Sequence, residues 1–326
     1  MPTPPRKRRS RLRLAIRLTL LVLLIAGGLL VANEMRTSHL QAYELSRYAK
    51  SLTYKVEPGP SPAIVYPKEG PFDKRLGYTH IPMMLERLDQ RGFGVHRQAR
   101  FSPALLDYAE RGFFVPYPEK PQAGLRIADC RGTPFYEFRY PSRRYPSFSA
   151  IPPLITNSLL FIENRHLLDP EQPHANPAVD WPRFFMAAVS QVGKMMEMQD
   201  DSAGGSTLAT QLEKYRHSPD GLTLSAMEKL RQMISASVRT YQYGPLTMPA
   251  RENIVRDYLN SVPLSAAPGH GEVHGIADGL RIWFGADFDQ VNRLLDPQRS
   301  PDVSLEQRAL ALRQVLALLI AQRRPS

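Results

Sequence analysis

A mainly α-helical domain, preceded by one transmembrane helix and a small α/β membrane-proximal module, is the architecture the sequence predicts. Three observations predict it. Residues 18–33, LTLLVLLIAGGLLVAN, form an uncharged apolar run behind a basic tail. Residues 61–146 mix short β-like runs with two helical stretches. From residue 147 onward, apolar residues recur at three- and four-residue spacing, the period of helices packed by one face.

The tail and the apolar run come first. The net charge of +11 points to nucleic acid or membrane, but seven of the 42 basic residues (Arg6, Lys7, Arg8, Arg9, Arg11, Arg13, Arg17) lie in the first 17 positions. That leaves 42 − 7 = 35 basic against 31 acidic residues, a balance that argues against a nucleic-acid groove. The sixteen residues of the run are short of the about 20 a bilayer requires. Snorkelling of Arg13 and Arg17 lets Leu14, Ala15 and Ile16 extend it. A cleaved signal peptide is the alternative; the long basic region and the poor cleavage site in VANE weigh against it. The positive-inside rule then puts residues 1–17 in the cytoplasm and the rest across the membrane, on a signal-anchor at 18–33.

Residues 34–60 read as a helical stalk followed by a Pro/Gly-rich linker. In the 61–146 module, AIVYP, GFGVHRQARF and GLRIADCRGTPFYEFRY are β-like, with helical segments near 81–91 and 102–111. Cys130 is the single cysteine, so no internal disulfide forms; it is expected as an ordinary buried residue. In the helical domain, 147–326, Pro152 and Pro153 suit the first turn of a helix. Ser225 to Glu228 and Ser304 to Gln307 have capping-box spacing. HLLDPEQPHANP is expected as an insertion loop, and the methionine run at 195–198 as a mobile, lipid-facing or core segment rather than a cofactor box.

Three features of this half carry candidate chemistry: Glu163 in LLFIENRHLL, the stretch AGGSTLATQLEK at 203–214, and RENIVRDYLNSV from Arg251. Taken alone, Glu163 reads as a solvated helix-end charge. The Gly-Gly pair reads as a phosphate cradle, a tight turn or a flexible loop, without the Gly-Lys-Ser/Thr of a P-loop. His270 and His274 flank Glu272, but Gly269, Gly271 and Gly275 make that stretch a loop, without the helix that would present a metal-binding pair.

In order and spacing these segments resemble the peptidoglycan glycosyltransferase family, the membrane-anchored polymerases of the bacterial cell wall. The family's Glu-Asp-x-x-Phe corresponds to Glu163 through Leu167, and its His-x-Gly-x-Asp to His174 through Asp180 after an insertion. Gly-Gly-Ser-Thr-Ile-Thr-Gln-Gln-Leu-x-Lys is matched by Gly204 through Lys214. Arg251 through Asn260, and GIADGLRIWFG ending at Gly285, resemble the fourth and fifth motifs. The similarity covers about 147–326 and implies a lysozyme-like helical domain that joins lipid-linked disaccharides.

The implied reaction is attack of the acceptor sugar's 4-hydroxyl on the donor's anomeric carbon, with undecaprenyl pyrophosphate leaving. Such a reaction needs one general base, here Glu163 by its motif position. It also needs cationic and hydrogen-bonding groups at the diphosphate. By resemblance these substrate-binding residues are Gly204, Gly205, Ser206, Thr207, Gln211, Lys214, Lys229, Arg231, Gln232, Tyr258 and Asn260. Glycines at a helix start permit close backbone approach to an anion. The family implies Mg²⁺ or Mn²⁺ as cofactor. It implies lipid II and the nascent glycan strand as substrates, and the inner membrane with a periplasm-facing domain as location. Other cell-wall synthases or activators are implied as partners, for which 61–146 is the docking candidate; nucleic acid is not.

Departures are equally specific. Asn164 stands at the family's Asp and Leu167 at its aromatic. Over the third motif, Arg-Lys-x-x-Glu, lies Glu228-Lys229-Leu230-Arg231-Gln232, so Gln232 occupies the place of a second acid. Glu228 reads as the capping-box glutamate or as a displaced acid. Lacking that carboxylate, the chain reads alternatively as a catalytically impaired relative that binds lipid II or a synthase. A lytic enzyme on a lysozyme-like fold would also use one Glu, but the Gly-Gly-Ser-Thr match opposes it. No Ser-x-x-Lys follows the domain, so transpeptidase activity is not expected.

Overall fold

The computed structural model describes residues 6–181, 206–298 and 300–321. Helix α1 (Arg6–Thr37) contains a 25-residue stretch, Arg13–Thr37, in which an 18-residue window reaches a mean hydropathy of 2.5. None of it is buried in the protein, and by length and composition it suffices to cross a membrane. At 1.5 Å per residue it reaches roughly 37 Å, beyond the about 30 Å of a hydrocarbon core.

The helix breaks at Ser38, whose φ of 52° is left-handed. The next helix, α2 (His39–Ser51), is capped from outside: both Glu34 carboxylate oxygens accept backbone N–H groups, from Leu40 and Gln41, each at 2.8 Å. Strand β1 (Tyr54–Pro58) starts within the expected stalk and runs into the expected linker. It pairs antiparallel with β2 (Arg97–Phe101), Tyr54 opposite Phe101. Between them lie α3 (Pro71–Arg75) and α4 (Ile81–Asp89); α5 (Pro103–Glu110) follows, with Ser102 Oγ accepting from Leu105 N. AIVYP forms no strand.

Strands β3 (Ala123–Ala128) and β4 (Pro134–Tyr140) make a hairpin with Leu125 opposite Phe138. Cys130 sits at its tip and is exposed, not buried as expected. A two-stranded ribbon has no second layer to cover its turn.

The C-terminal half is helical, as its periodicity predicts. It comprises α6 (Pro153–Glu163), α7 (Leu208–His217), α8 (Ala226–Thr240), α9 (Met248–Ser261), α10 (Gly275–Phe284), α11 (Phe288–Leu294) and α12 (Leu305–Ala321). Between α9 and α10, PLSAAPGHGEVH forms a hairpin of β5 (Pro263–Ala267) and β6 (Gly271–His274) where a loop was expected. Gly275 has φ +74° and lies so near Asn260 O that a Cβ would come within 2.5 Å, so only glycine lets α10 start against the end of α9.

Ile155, Leu159, Leu212, Val255, Leu259, Ile276, Leu280 and Val315 form the main core. A second core joins Ala49 and Leu52, Leu105 and Tyr108 of α5, and Val238 of α8. Residues preceding 147 therefore share apolar packing with the helical half. They also share charge. His217 of α7 contacts Asp73 of α3 through Nδ1 (2.9 Å) and Glu119 through Nε2 (2.7 Å). Glu119 also pairs with Arg216 and Arg239, and Arg239 with Glu213 at 2.6 Å.

Candidate active site

Helix α6 sets the position of Glu163. Pro152 and Pro153 start it, and Asn164, with extended backbone, stops it. Ile155 and Leu159 point into the core, and Glu163 is the next residue at four-residue spacing, so the same stripe carries the carboxylate inward. Its 8% exposure rules out the solvated helix-end reading. The chain beyond is held from the opposite side. Arg251, itself buried, donates to Leu167 O (3.0 Å) and Gln172 O (2.7 Å), and Tyr241 Oη donates to His174 O. The expected insertion loop is thus an irregular segment, with its carbonyls bonded to α8 and α9.

Helix α7 brings the second motif to Glu163. Thr207 and Thr210 form a reciprocal cap: Thr210 N donates to Thr207 Oγ1 and Thr207 N to Thr210 Oγ1. One turn on, Gln211 Nε2 donates to Glu163 Oε2 at 3.1 Å. Gln211 Oε1 accepts from Tyr215 Oη at 3.2 Å and lies 3.5 Å from Tyr258 Oη. Burial raises the Tyr215 phenol pKa, and the nearby Glu163 charge raises it further, so Tyr215 stays a proton donor.

A cationic pole lies between the start of α7 and α8. Lys229 Nζ of α8 donates to Ser206 Oγ at 3.0 Å. Burial lowers the Lys229 pKa, and the neighbouring Lys214 charge lowers it further. Burial also lowers that of Lys214, whose ammonium lies 4.5 Å over the Tyr215 ring. Two half-buried ammonium groups close enough to disfavour each other are what an anionic ligand would relieve.

Other expected site residues go elsewhere. Arg231, two positions from Lys229, faces away and pairs with Glu228 at 3.0 Å. Gln232 is fully buried, with Nε2 donating to Ser218 Oγ and Thr223 Oγ1, each at 3.0 Å. Glu228 closes only half of a capping box. Its N–H donates to Ser225 Oγ, while its carboxylate accepts from Ser218 Oγ instead of the cap N–H. Asn260 clamps Tyr145 N and O at 2.7 and 2.9 Å, a structural tie. Gly204, Gly205 and the methionine run lie outside the described residues. His274 Nε2 bonds Glu272, and among the described residues no group of three or more His, Cys, Asp or Glu side chains is arranged to hold a metal ion.

Tyr215 was missed by motif reading, although it stands four residues after Gln211 and so on its face of the helix. A cavity of about 1140 Å³ runs along α6 past Thr156, Asn157 and Arg165. A second of about 680 Å³ opens on the far face of α7 at Glu213 and Arg216. Around Glu163 a buried carboxylate, an amide that donates to it and two nearby lysines come together. A family model described as Transglycosylase matches residues 131–326, which takes in β4 and the whole helical half. Among curated proteins, none matches the chain.

Proposed function

The chain belongs to the peptidoglycan glycosyltransferase (transglycosylase) family, and from that premise we propose that it polymerises lipid II into glycan strands. The observation that carries the reading is the bond from Gln211 to the buried Glu163, on a helix that also bears Lys214. Glu163 takes the proton of the acceptor 4-hydroxyl as its oxygen bonds to the donor anomeric carbon. The bond from that carbon to the phosphate oxygen breaks, and its electron pair leaves on the diphosphate. Lys214 and Lys229, with Ser206, balance that charge. A single inverting displacement needs no covalent nucleophile.

Mg²⁺ and Mn²⁺ favour carboxylate and other oxygen donors. Among the described residues, the groups at the cationic pole are two lysines and a hydroxyl, and Gln232 is turned into its own hydrogen-bonded cluster. This donor set does not fit a divalent cation. The same reading has α1 as a membrane anchor, the helical domain at the outer face of the bacterial inner membrane and the basic tail in the cytoplasm; the length and hydropathy of α1 and the positive-inside rule support it.

A second reading rests on Gln232. Without the acid of the third motif, the protein would bind lipid II or a synthase without polymerising. Incubating the detergent-solubilised full chain with labelled lipid II separates the two. Glycan strands that form with wild type and vanish in Glu163→Gln support the polymerase; binding without strands in both supports the module.

A further inference from the structure

We propose that Tyr215 is a positioning residue that holds Gln211 so that its amide N–H faces the Glu163 carboxylate. This rests on the glycosyl-transfer reading of Glu163.

A side-chain amide has two ends of opposite character: NH₂ only donates and the oxygen only accepts. An ionised carboxylate only accepts, so Gln211 is useful to Glu163 in one orientation. In that orientation its oxygen must find donors inside the protein. Tyr215 Oη, 3.2 Å away, supplies one, and the phenol stays protonated because burial and the Glu163 charge both disfavour the phenolate. The chain of donors therefore runs one way, from Tyr215 to Gln211 to Glu163. Tyr258 stands at 3.5 Å from the same oxygen, a longer and weaker approach.

The ring of Tyr215 has a second use. Lys214 Nζ lies 4.5 Å over its centroid, so one side chain touches both the cationic pole and the amide that orients the base. The hydroxyl serves the base and the ring face serves the cation. These two contributions are separable by substitution, since Tyr215→Phe removes the first and keeps the second.

The test uses the full chain in detergent with labelled lipid II. Tyr215→Phe is expected to lower kcat about tenfold, the effect of one lost hydrogen bond, with KM unchanged. Tyr215→Leu, which also loses the ring, is expected to raise KM in addition. Adding Tyr215→Phe to Gln211→Ala is expected to produce no further loss, because the hydroxyl acts only through that amide. Additive losses, or a KM rise in Tyr215→Phe alone, would overturn the proposal. Glu163→Gln is run alongside and judges the polymerase reading by itself. A readout free of turnover completes the set. In protein labelled with ¹⁵N-glutamine, the Gln211 side-chain amide protons should shift and exchange faster in Tyr215→Phe. Unchanged resonances would sink the idea whether or not strands form.

Discussion

Asp73 and His217 lie 144 residues apart in sequence, yet the Asp73 Oδ1 and His217 Nδ1 atoms are 2.9 Å apart and almost fully buried. With Glu119 on Nε2, both ring nitrogens face carboxylates, so both must carry protons. Burial disfavours the imidazolium, but Glu119 and Asp73 outweigh it and raise the pKa to about 9. A folded pKa above the unfolded value of about 6.5 gives stability that is complete below that value and is lost as pH rises through 9. Thermal melting should therefore show Tm falling between about pH 6.5 and pH 9. His217→Gln should flatten that dependence; a wild-type Tm level across the window would contradict the assignment.

Asp73→Ala removes one partner of this buried ion cluster and leaves His217 Nδ1–H without its acceptor. A loss of about 3–5 kcal/mol is expected, read by urea denaturation at pH 6. Glu119 has a further consequence. Burial pushes its carboxyl up, but Arg239, His217 and Arg216 reverse this and hold it below the usual carboxylate range. Its contribution is thus retained on mild acidification, and stability should change little down to about pH 5 on its account.

Lys229→Ala tests the cationic pole. Loss of an ammonium from the leaving group should lower kcat/KM for lipid II by roughly 10²-fold, and Lys229→Arg should recover part of it. The Tm of Lys229→Ala should stay level or rise, because burial and Lys214 both disfavour that charge. A large drop in Tm without loss of turnover would assign Lys229 to structure.

Gln232→Glu restores the family's acid, and it should not restore activity. Gln232 Nε2 donates to two hydroxyls, and a carboxylate cannot donate. Ser218 Oγ already gives its proton to Glu228, so a second carboxylate would meet a lone pair and a neighbouring anion. A loss of about 1–3 kcal/mol with unchanged or lower turnover is expected. Turnover that rises in the variant, with or without added Mn²⁺, would instead show that the missing acid limits the reaction.

The apolar run of α1, the helical half and the order Glu163, Gly204 to Lys214, Tyr258 were legible in the sequence, because each is written in local spacing or contiguous residue type. Helical periodicity is a property of neighbours three and four apart, and α6 through α12 needed nothing more. Partner choice is not local. Ser225 and Glu228 have the spacing of a full capping box, yet Glu228 turns to Ser218, ten residues back across a turn, since a buried carboxylate takes the donor that packing delivers. Gln232 occupies an acid's place in the sequence and a hydrogen-bonded corner in space. Likewise Asp73 and Glu119, in a segment read as a separate module, supply the counter-charges of α7 and α8. What the residue order determined by itself is which side chains are present for the chemistry. Which of them meet, with Glu163 drawn inward on an apolar stripe and bonded to Gln211 from 48 residues away, was decided only when α6 and α7 packed together, because a buried polar group takes its partners from what packing sets beside it.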